Sequence, residues 1–319
     1  MRRLLAGGLV IAYLATPGLA QAGNVAIFYY PWYGTPQHGG IWEHWNQNGH
    51  TPPGNLYSRF FPAGGPYSSS DPSVVKRQMA EIASAGVDEV VISWWGRGST
   101  EDQLLPMVLA AARKSHLEAA IHLEPYDGRS PATVAQDLPY LASLGIRDVY
   151  VYHPLDFPAS DWATINAQKP PGMRLFAATE LVGFAAAGGF NGFYTYDFID
   201  YGGSKFVRLC DEAHAKGLLC LPSVGPGYNG TRAGELSISR GRKNGATYDA
   251  LWRAALEAHP DGVTITSFNE WGEGTQIEPA APKAGYLSYN GAWGLQGVAA
   301  ENAYLTRTAY WTARFRALK

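Results

Sequence analysis

A single (β/α)8 TIM barrel, with long loops after its first and eighth strands, is the fold this sequence predicts. Three observations predict it. Eight short runs rich in β-branched and aromatic residues lie at 25–32, 87–94, 118–124, 148–152, 173–178, 192–196, 217–223 and 262–268, and each has the make-up of a buried strand. Most are separated by segments with helical spacing, and strands alternating with helices pair in parallel with the helices outside. Aromatic, acidic and glycine residues also gather just after these strands, with nothing comparable at the opposite ends. That is where barrels keep their chemistry.

The chain opens on Met1-Arg2-Arg3, an apolar run at 4–15 and the small-x-small triplet Ala20-Gln21-Ala22. This reads as a secretory signal peptide cut after Ala22, leaving 319 − 22 = 297 residues, 23–319, for the barrel. The apolar run is short for a bilayer span, which needs about 20 residues. The expectation is a secreted or periplasmic monomer with no membrane contact once the signal is cleaved.

Between strands one and two, Asp71 can cap a helix that Pro72 begins. Val74, Val75, Met79, Ile82 and Ala83 share one face of it until Gly86 ends it. Helices follow at 102–114, 131–143, 204–216 and 246–259, each closed by Gly, Pro or a strand start, and a last one at 302–317. The segments at 184–190 and 197–203 carry weak helical signals and can equally be loops. Two stretches without a periodic core, 33–70 and 278–300, read as active-site loops. An open doubly wound sheet is the alternative architecture, but the first strand is not followed by a Gly-rich phosphate fingerprint.

A net charge of −2 without a basic stripe excludes a nucleic-acid partner. Only 16% of residues are charged while 13% are aromatic, with 10 Trp and 19 Tyr. That balance suits neutral carbohydrate, which offers C–H faces to rings and hydroxyls to polar groups. None of the eight histidines forms an H-x-H or H-x-x-x-H pair at a strand end, so neither a metal nor another cofactor is expected. Ser93, Ser223 and Ser267 lack a G-x-S-x-G elbow. Cys210 falls on a predicted helix and Cys220 on the next strand. Export favours pairing, but two buried thiols fit the sequence equally well.

The eighth strand runs out into Ser267-Phe268-Asn269-Glu270-Trp271-Gly272-Glu273. Two carboxylates three residues apart beside indole rings are what glycosidic cleavage needs: an acid, a base and stacking surfaces. Glu270 and Glu273 are therefore the candidate catalytic pair. A neighbouring carboxylate and a desolvating wall of rings would keep the acid protonated near neutrality. The other strand ends supply candidate sugar-binding residues: Tyr33, Trp94, Trp95, Glu124, Tyr126, Tyr194 and Tyr228, with Asn269 and Trp271 from the catalytic run and His44 from the first loop. Trp94 and Trp95 face opposite ways along a strand, so one belongs to the core and the other to the mouth. His122 shares the parity of Glu124 and can simply fill the barrel, and Glu124 can serve as a buried structural acceptor.

The ordered set Phe28-Tyr29-Tyr30-Pro31-Trp32-Tyr33-Gly34, His44-Trp45, Ser93-Trp94-Trp95-Gly96, His122-Leu123-Glu124-Pro125-Tyr126, Gly192-Phe193-Tyr194-Thr195-Tyr196, Val224-Gly225-Pro226-Gly227-Tyr228 and residues 267–279 resembles glycoside hydrolase family 99, the endo-α-mannosidases and endo-α-mannanases. The resemblance implies a metal-independent (β/α)8 hydrolase that cleaves inside α-1,2-linked mannosyl chains with retention. The partner it implies is α-mannan or another mannose-containing oligosaccharide. By resemblance, Glu270 is the base that deprotonates the sugar's own 2-hydroxyl, leading to a 1,2-anhydro intermediate. Glu273 is the acid that protonates the leaving oxygen. Glu124 and Tyr194 lie near the cleaved mannose, and Tyr33, His44 and Trp95 line the non-reducing side. One position departs from the family: where it usually carries His, this chain has Gly272, which frees the backbone bearing Glu273. A non-catalytic carbohydrate-binding barrel and a hydrolase of another α-glycan are the alternative functions.

Overall fold

The computed structural model describes residues 24–38, 40–199, 202–234 and 239–319. The signal peptide expected at 1–22 lies outside them. Nine strands, all paired in parallel, close a barrel with helices around it. In chain order the strands are β1 (Asn24–Tyr29), β2 (Glu89–Trp94), β3 (Glu118–Leu123), β4 (Asp148–Val151), β5 (Arg174–Ala178), β6 (Gly192–Tyr194), β7 (Leu219–Leu221), β8 (Ser223–Val224) and β9 (Gly262–Ile265).

Nine rather than eight strands result from one residue. Pro222 has no N–H to give to a ladder, so the seventh stave breaks there into β7 and β8. β7 pairs with β6, and β8 pairs with β9. The N–H of Ser223 goes instead to the Thr195 hydroxyl at 2.9 Å, while the Pro222 carbonyl still accepts from Thr264 at 3.1 Å. The first stave is shorter than its apolar run because the side chain of Asn269 takes both the N–H and the carbonyl of Tyr30.

The outer helices include α1 (Pro72–Ser84), α2 (Thr100–Lys114), α3 (Pro131–Ser143), α4 (Ala159–Gln168), α5 (Val182–Ala187), α6 (Phe206–Ala215), α7 (Ala246–Glu257), α8 (Gly297–Glu301) and α9 (Ala303–Arg316). The starts of α1, α2 and α3 follow capping chemistry. Asp71 accepts from the Ser73 N–H at 2.8 Å, Ser99 caps α2, and Ser130 with Thr133 forms a reciprocal capping box on α3. The weak segment at 184–190 is a short helix at Val182–Ala187, whereas the described part of 197–203 is turn.

Strand parity divides the core in two. Val25, Ile27 and Tyr29 face the helices, while Ala26, Phe28 and Tyr30 face the barrel interior with Tyr150, Phe176, Tyr194 and Tyr196. Cys210 on α6 and Cys220 on β7 form a disulfide with Cα atoms 5.2 Å apart, which settles the alternative left by the sequence. No helix among the described residues is long and apolar enough to cross a membrane.

The two long loops play different parts. The loop after β1 folds over the barrel mouth. The stretch 278–300 does not line the mouth, contrary to expectation, and braces the first loop from behind. Pro62 pairs with Ala280 and Phe60 with Leu287, and the Tyr286 hydroxyl accepts from the Leu56 N–H at 2.8 Å. Its Pro and Gly content marks a loop, but burial against a second loop leaves no signature in composition.

Candidate active site

After β9 the backbone folds back on itself. Ser267 N–H donates to Thr275 O at 3.0 Å, Ile277 N–H to Ser267 O at 3.0 Å and Glu278 N–H to Phe268 O at 2.8 Å. Gly274, with φ +66°, takes the left-handed step this reversal requires. Residues 269–273 then divide between two sides of this turn. Asn269 turns down and clamps the end of β1, exchanging hydrogen bonds with Tyr30 N–H (2.8 Å) and Tyr30 O (2.9 Å). Trp271 turns back into the core, fully buried, and its indole N–H reaches Glu278 at 2.9 Å and the Tyr67 hydroxyl at 3.2 Å. Glu270 and Glu273 are left facing a cleft of about 330 Å³.

Glu270 is tightly held. Its own N–H donates to Ser267 Oγ at 2.9 Å, and its Oε1 accepts the N–H groups of Gly272 at 2.9 Å and Glu273 at 3.3 Å. A carboxylate that receives two backbone donors is fixed as an acceptor. Glu270 is 6% exposed, and Glu273 is half-buried at the cleft surface. The Tyr33 hydroxyl joins the first loop to this turn, donating to Asn269 O (2.8 Å) and accepting from Trp271 N–H (3.1 Å).

The opposite wall comes from β2 to β6. Glu124 Oε1 accepts the Ser93 hydroxyl at 2.8 Å and His122 Nδ1–H at 2.9 Å, and His122 Nε2 meets the Tyr194 hydroxyl at 2.9 Å. Because a carboxylate only accepts, this chain puts the imidazole proton on Nδ1. Tyr30 and Tyr196 share a short hydrogen bond between their hydroxyls. Burial raises both phenols well above their ordinary range; for Tyr30 the negative charges of Glu124, Glu273 and Glu270 add to this, and for Tyr196 that of Glu273. Burial likewise raises Tyr33, with Glu270 adding to it. All three remain protonated; Tyr33 gives its proton to Asn269 O, and of the Tyr30–Tyr196 pair only the hydroxyl that accepts keeps a proton to offer the cleft.

Of the residues expected at the site, Glu270, Glu273, Tyr33, His44, Trp95 and Glu124 are brought together on the cleft wall. Tyr194 lies beneath it, behind His122. Asn269 and Trp271 hold the catalytic turn from below rather than facing the cleft. Trp94 is fully buried and donates its indole N–H to Asp102 at 2.8 Å, so of the two neighbouring indoles only Trp95 reaches the mouth. Tyr126 is drawn outward by a hydrogen bond to Asp137 and packs its ring over Gly96. Tyr228 pairs its backbone with Arg240 and does not reach the cleft wall.

Tyr30, Trp32, Gln47, Tyr57, Tyr152 and Tyr196, not among the sugar-binding candidates read from the sequence, also line the cleft, as does Gly272. Tyr30, Trp32 and Tyr196 carried a signal, since they stand at strand ends. Gln47 and Tyr57 sit in an aperiodic loop that carried none. His122 fills the barrel interior as expected, 1% exposed, and also lines the cleft. No group of three His, Cys, Asp or Glu side chains among the described residues could hold a metal ion.

Comparison with known proteins places the chain in a family. The model of Glycosyl hydrolase family 99 matches residues 21–157 and 175–317. The glycoprotein endo-alpha-1,2-mannosidase of Mus musculus is 32% identical over 350 residues, covering 90% of this chain and 74% of its own. The endo-alpha-1,2-mannosidase-like protein of Danio rerio is 34% identical over 321 residues, covering 82% and 72%. The solved GH99 endo-alpha-mannosidase of Bacteroides thetaiotaomicron superposes with a TM-score of 0.84 at 29% identity, over 93% of this chain and 98% of that one.

Proposed function

The chain belongs to glycosyl hydrolase family 99, and from that premise we propose that it is an exported, retaining endo-hydrolase of internal α-1,2-mannosidic linkages in mannan or mannose-containing oligosaccharides. The observation that carries this reading is the turn after β9, which holds Glu270 and Glu273 three residues apart and aims both into a cleft walled by rings. Export is supported by the disulfide between Cys210 and Cys220, since such bonds persist in oxidising compartments.

In the proposed reaction Glu270 takes the proton of the 2-hydroxyl, and that oxygen attacks the anomeric carbon. Glu273 gives its proton to the departing glycosidic oxygen as the bond breaks. The product half of the chain leaves, and a 1,2-anhydro sugar remains. Water then attacks the anomeric carbon and loses its proton to Glu273, while Glu270 returns a proton to O2. Two inversions give net retention. An α-mannoside suits this sequence because its 2-hydroxyl is trans to the leaving oxygen and can attack from the opposite face; in an α-glucoside the two are cis. The usual rule relating carboxylate separation to stereochemistry assumes that a carboxylate or water is the nucleophile, so it does not apply here. The ring-lined cleft excludes water around the pair, which strengthens each charge interaction within it.

The test is incubation of the mature protein with α-1,2-branched mannan in the presence of a chelator, with released saccharides read by mass. Release of disaccharides or longer chains supports the reading. Calorimetric binding of mannan without release points to a binding module instead, and neither release nor binding points to another α-glycan.

A further inference from the structure

Beside the catalytic cleft opens a second hollow of about 220 Å³. The two share Trp32, His44 and Gln47 as a common wall. That wall is preorganised: the Trp32 and His44 rings stack with centroids 4.3 Å apart and planes within 4°. His44 Nδ1 accepts from Gln47 Nε2 at 3.2 Å, which leaves the imidazole proton on Nε2. The far side of the hollow is formed by the indole of Trp42 and the carboxylates of Glu43 and Glu101.

Both carboxylates are set by local structure. Glu43 sits on a backbone bridge to Gly34, and a Cβ at Gly34 would come within 3.0 Å of its Oε2, so the glycine leaves room for it. Glu101 stands in the first turn of α2 and is 8% exposed. Neither is ion-paired to a Lys or Arg among the described residues. An aromatic face with charged acceptors and side-chain amides around it is the composition of a site for a neutral sugar, where the ring stacks and hydroxyls donate. The indole wall and the opening into a glycan cleft distinguish this hollow from a solvated acidic surface.

We propose that this hollow is a further sugar subsite of the same cleft, holding one more residue of the substrate chain against Trp42 with its hydroxyls on Glu43 and Glu101. It rests on the reading of the cleft as a mannan-type hydrolase site. Neither carboxylate lines the catalytic cleft, so the loss on its removal should depend on whether a chain is long enough to reach the hollow.

The experiment measures kcat/KM for α-1,2-linked manno-oligosaccharides of increasing length with wild type, Glu43→Gln and Glu101→Gln. Wild type should gain a step in kcat/KM at one chain length. Each variant should lose about tenfold at and above that length, as when a hydrogen bond to a charged acceptor is removed, and nothing below it. Equal losses at all lengths, or no loss at any, would overturn the subsite. If wild type cleaves none of the chains, the functional reading fails. The subsite is then decided by calorimetry of the same chains on the same three proteins, with length-independent or unchanged affinity overturning it.

Discussion

The ring of Tyr57 lies where a side chain on residue 272 would have to go. A Cβ built on Gly272 would stand 2.5 Å from Tyr57 Cε1 and 2.9 Å from Glu270 Oε1. The first loop therefore enters the cleft beside the turn that carries Glu270 and Glu273, at Gly272, where there is no side chain in its way. The absence of a side chain at Gly272 is thus matched by a tyrosine that fills the gap.

Gly272→Ala should push aside Tyr57, Glu270 or both, and lower kcat/KM about tenfold or more. If the ring is the main obstacle, the same substitution made on Tyr57→Ala should cost much less, giving a coupling of about 1 kcal/mol in a double-mutant cycle. Additive losses would assign the effect to Glu270 alone.

Glu270→Gln and Glu273→Gln should each lower turnover of natural substrate by about 10²–10⁴, the usual worth of a positioned acid or base. Both should still bind the oligosaccharide by calorimetry. Near-wild-type turnover in Glu273→Gln would remove it as the acid.

Glu278 is buried and accepts from Trp271 Nε1 at 2.9 Å, the Tyr67 hydroxyl at 2.7 Å and Gln78 Nε2 at 2.8 Å. Glu278→Ala strands three buried donors. It should cost about 3 kcal/mol or more, lowering the thermal midpoint by roughly 6 °C or more. Because Trp271 precedes Gly272, activity should fall at temperatures where the variant is still folded. Calorimetry and kcat on the same sample check both halves, and an unchanged midpoint contradicts the first.

Burial pushes the His44 imidazole down from 6.5 to about 4. The unfolded chain takes up this proton near pH 6.5 and the folded one only near pH 4. The stability from keeping it neutral is therefore complete above pH 6.5 and is lost as pH falls towards 4. Over that window wild type should lose up to about 3 kcal/mol relative to His44→Asn. Denaturation at a series of pH values reads this difference; parallel curves for the two proteins would contradict it.

The staves of the barrel were legible because β-branched and aromatic runs and capped helices leave local signals. Pro222 was also in view, and a proline inside a strand run is a reason to expect a break. At the site, the two glutamates could be named because they stand on the turn itself. The opposite facing of Trp94 and Trp95 was legible from strand parity, though not which of them reaches the mouth; Asn269 and Trp271 were misplaced because they turn away from Glu270 and Glu273 in the same short run. The catalytic run gives its two faces no distinguishing composition. Tyr57 and Gln47 were illegible for another reason, since their position depends on how one loop packs against another.

The first strand described, Asn24–Tyr29, pairs with Gly262–Ile265, and Tyr30 is clamped by Asn269 across 239 residues of chain. Chain growth therefore imposes an order of assembly. A nascent polypeptide has made nearly all its helices before its opening strand can meet its last neighbour, and contacts this distant close late. Until then the cleft lacks one wall and both glutamates. A chain cut before residue 270 carries neither of the glutamates proposed to act, however much of the barrel it has built.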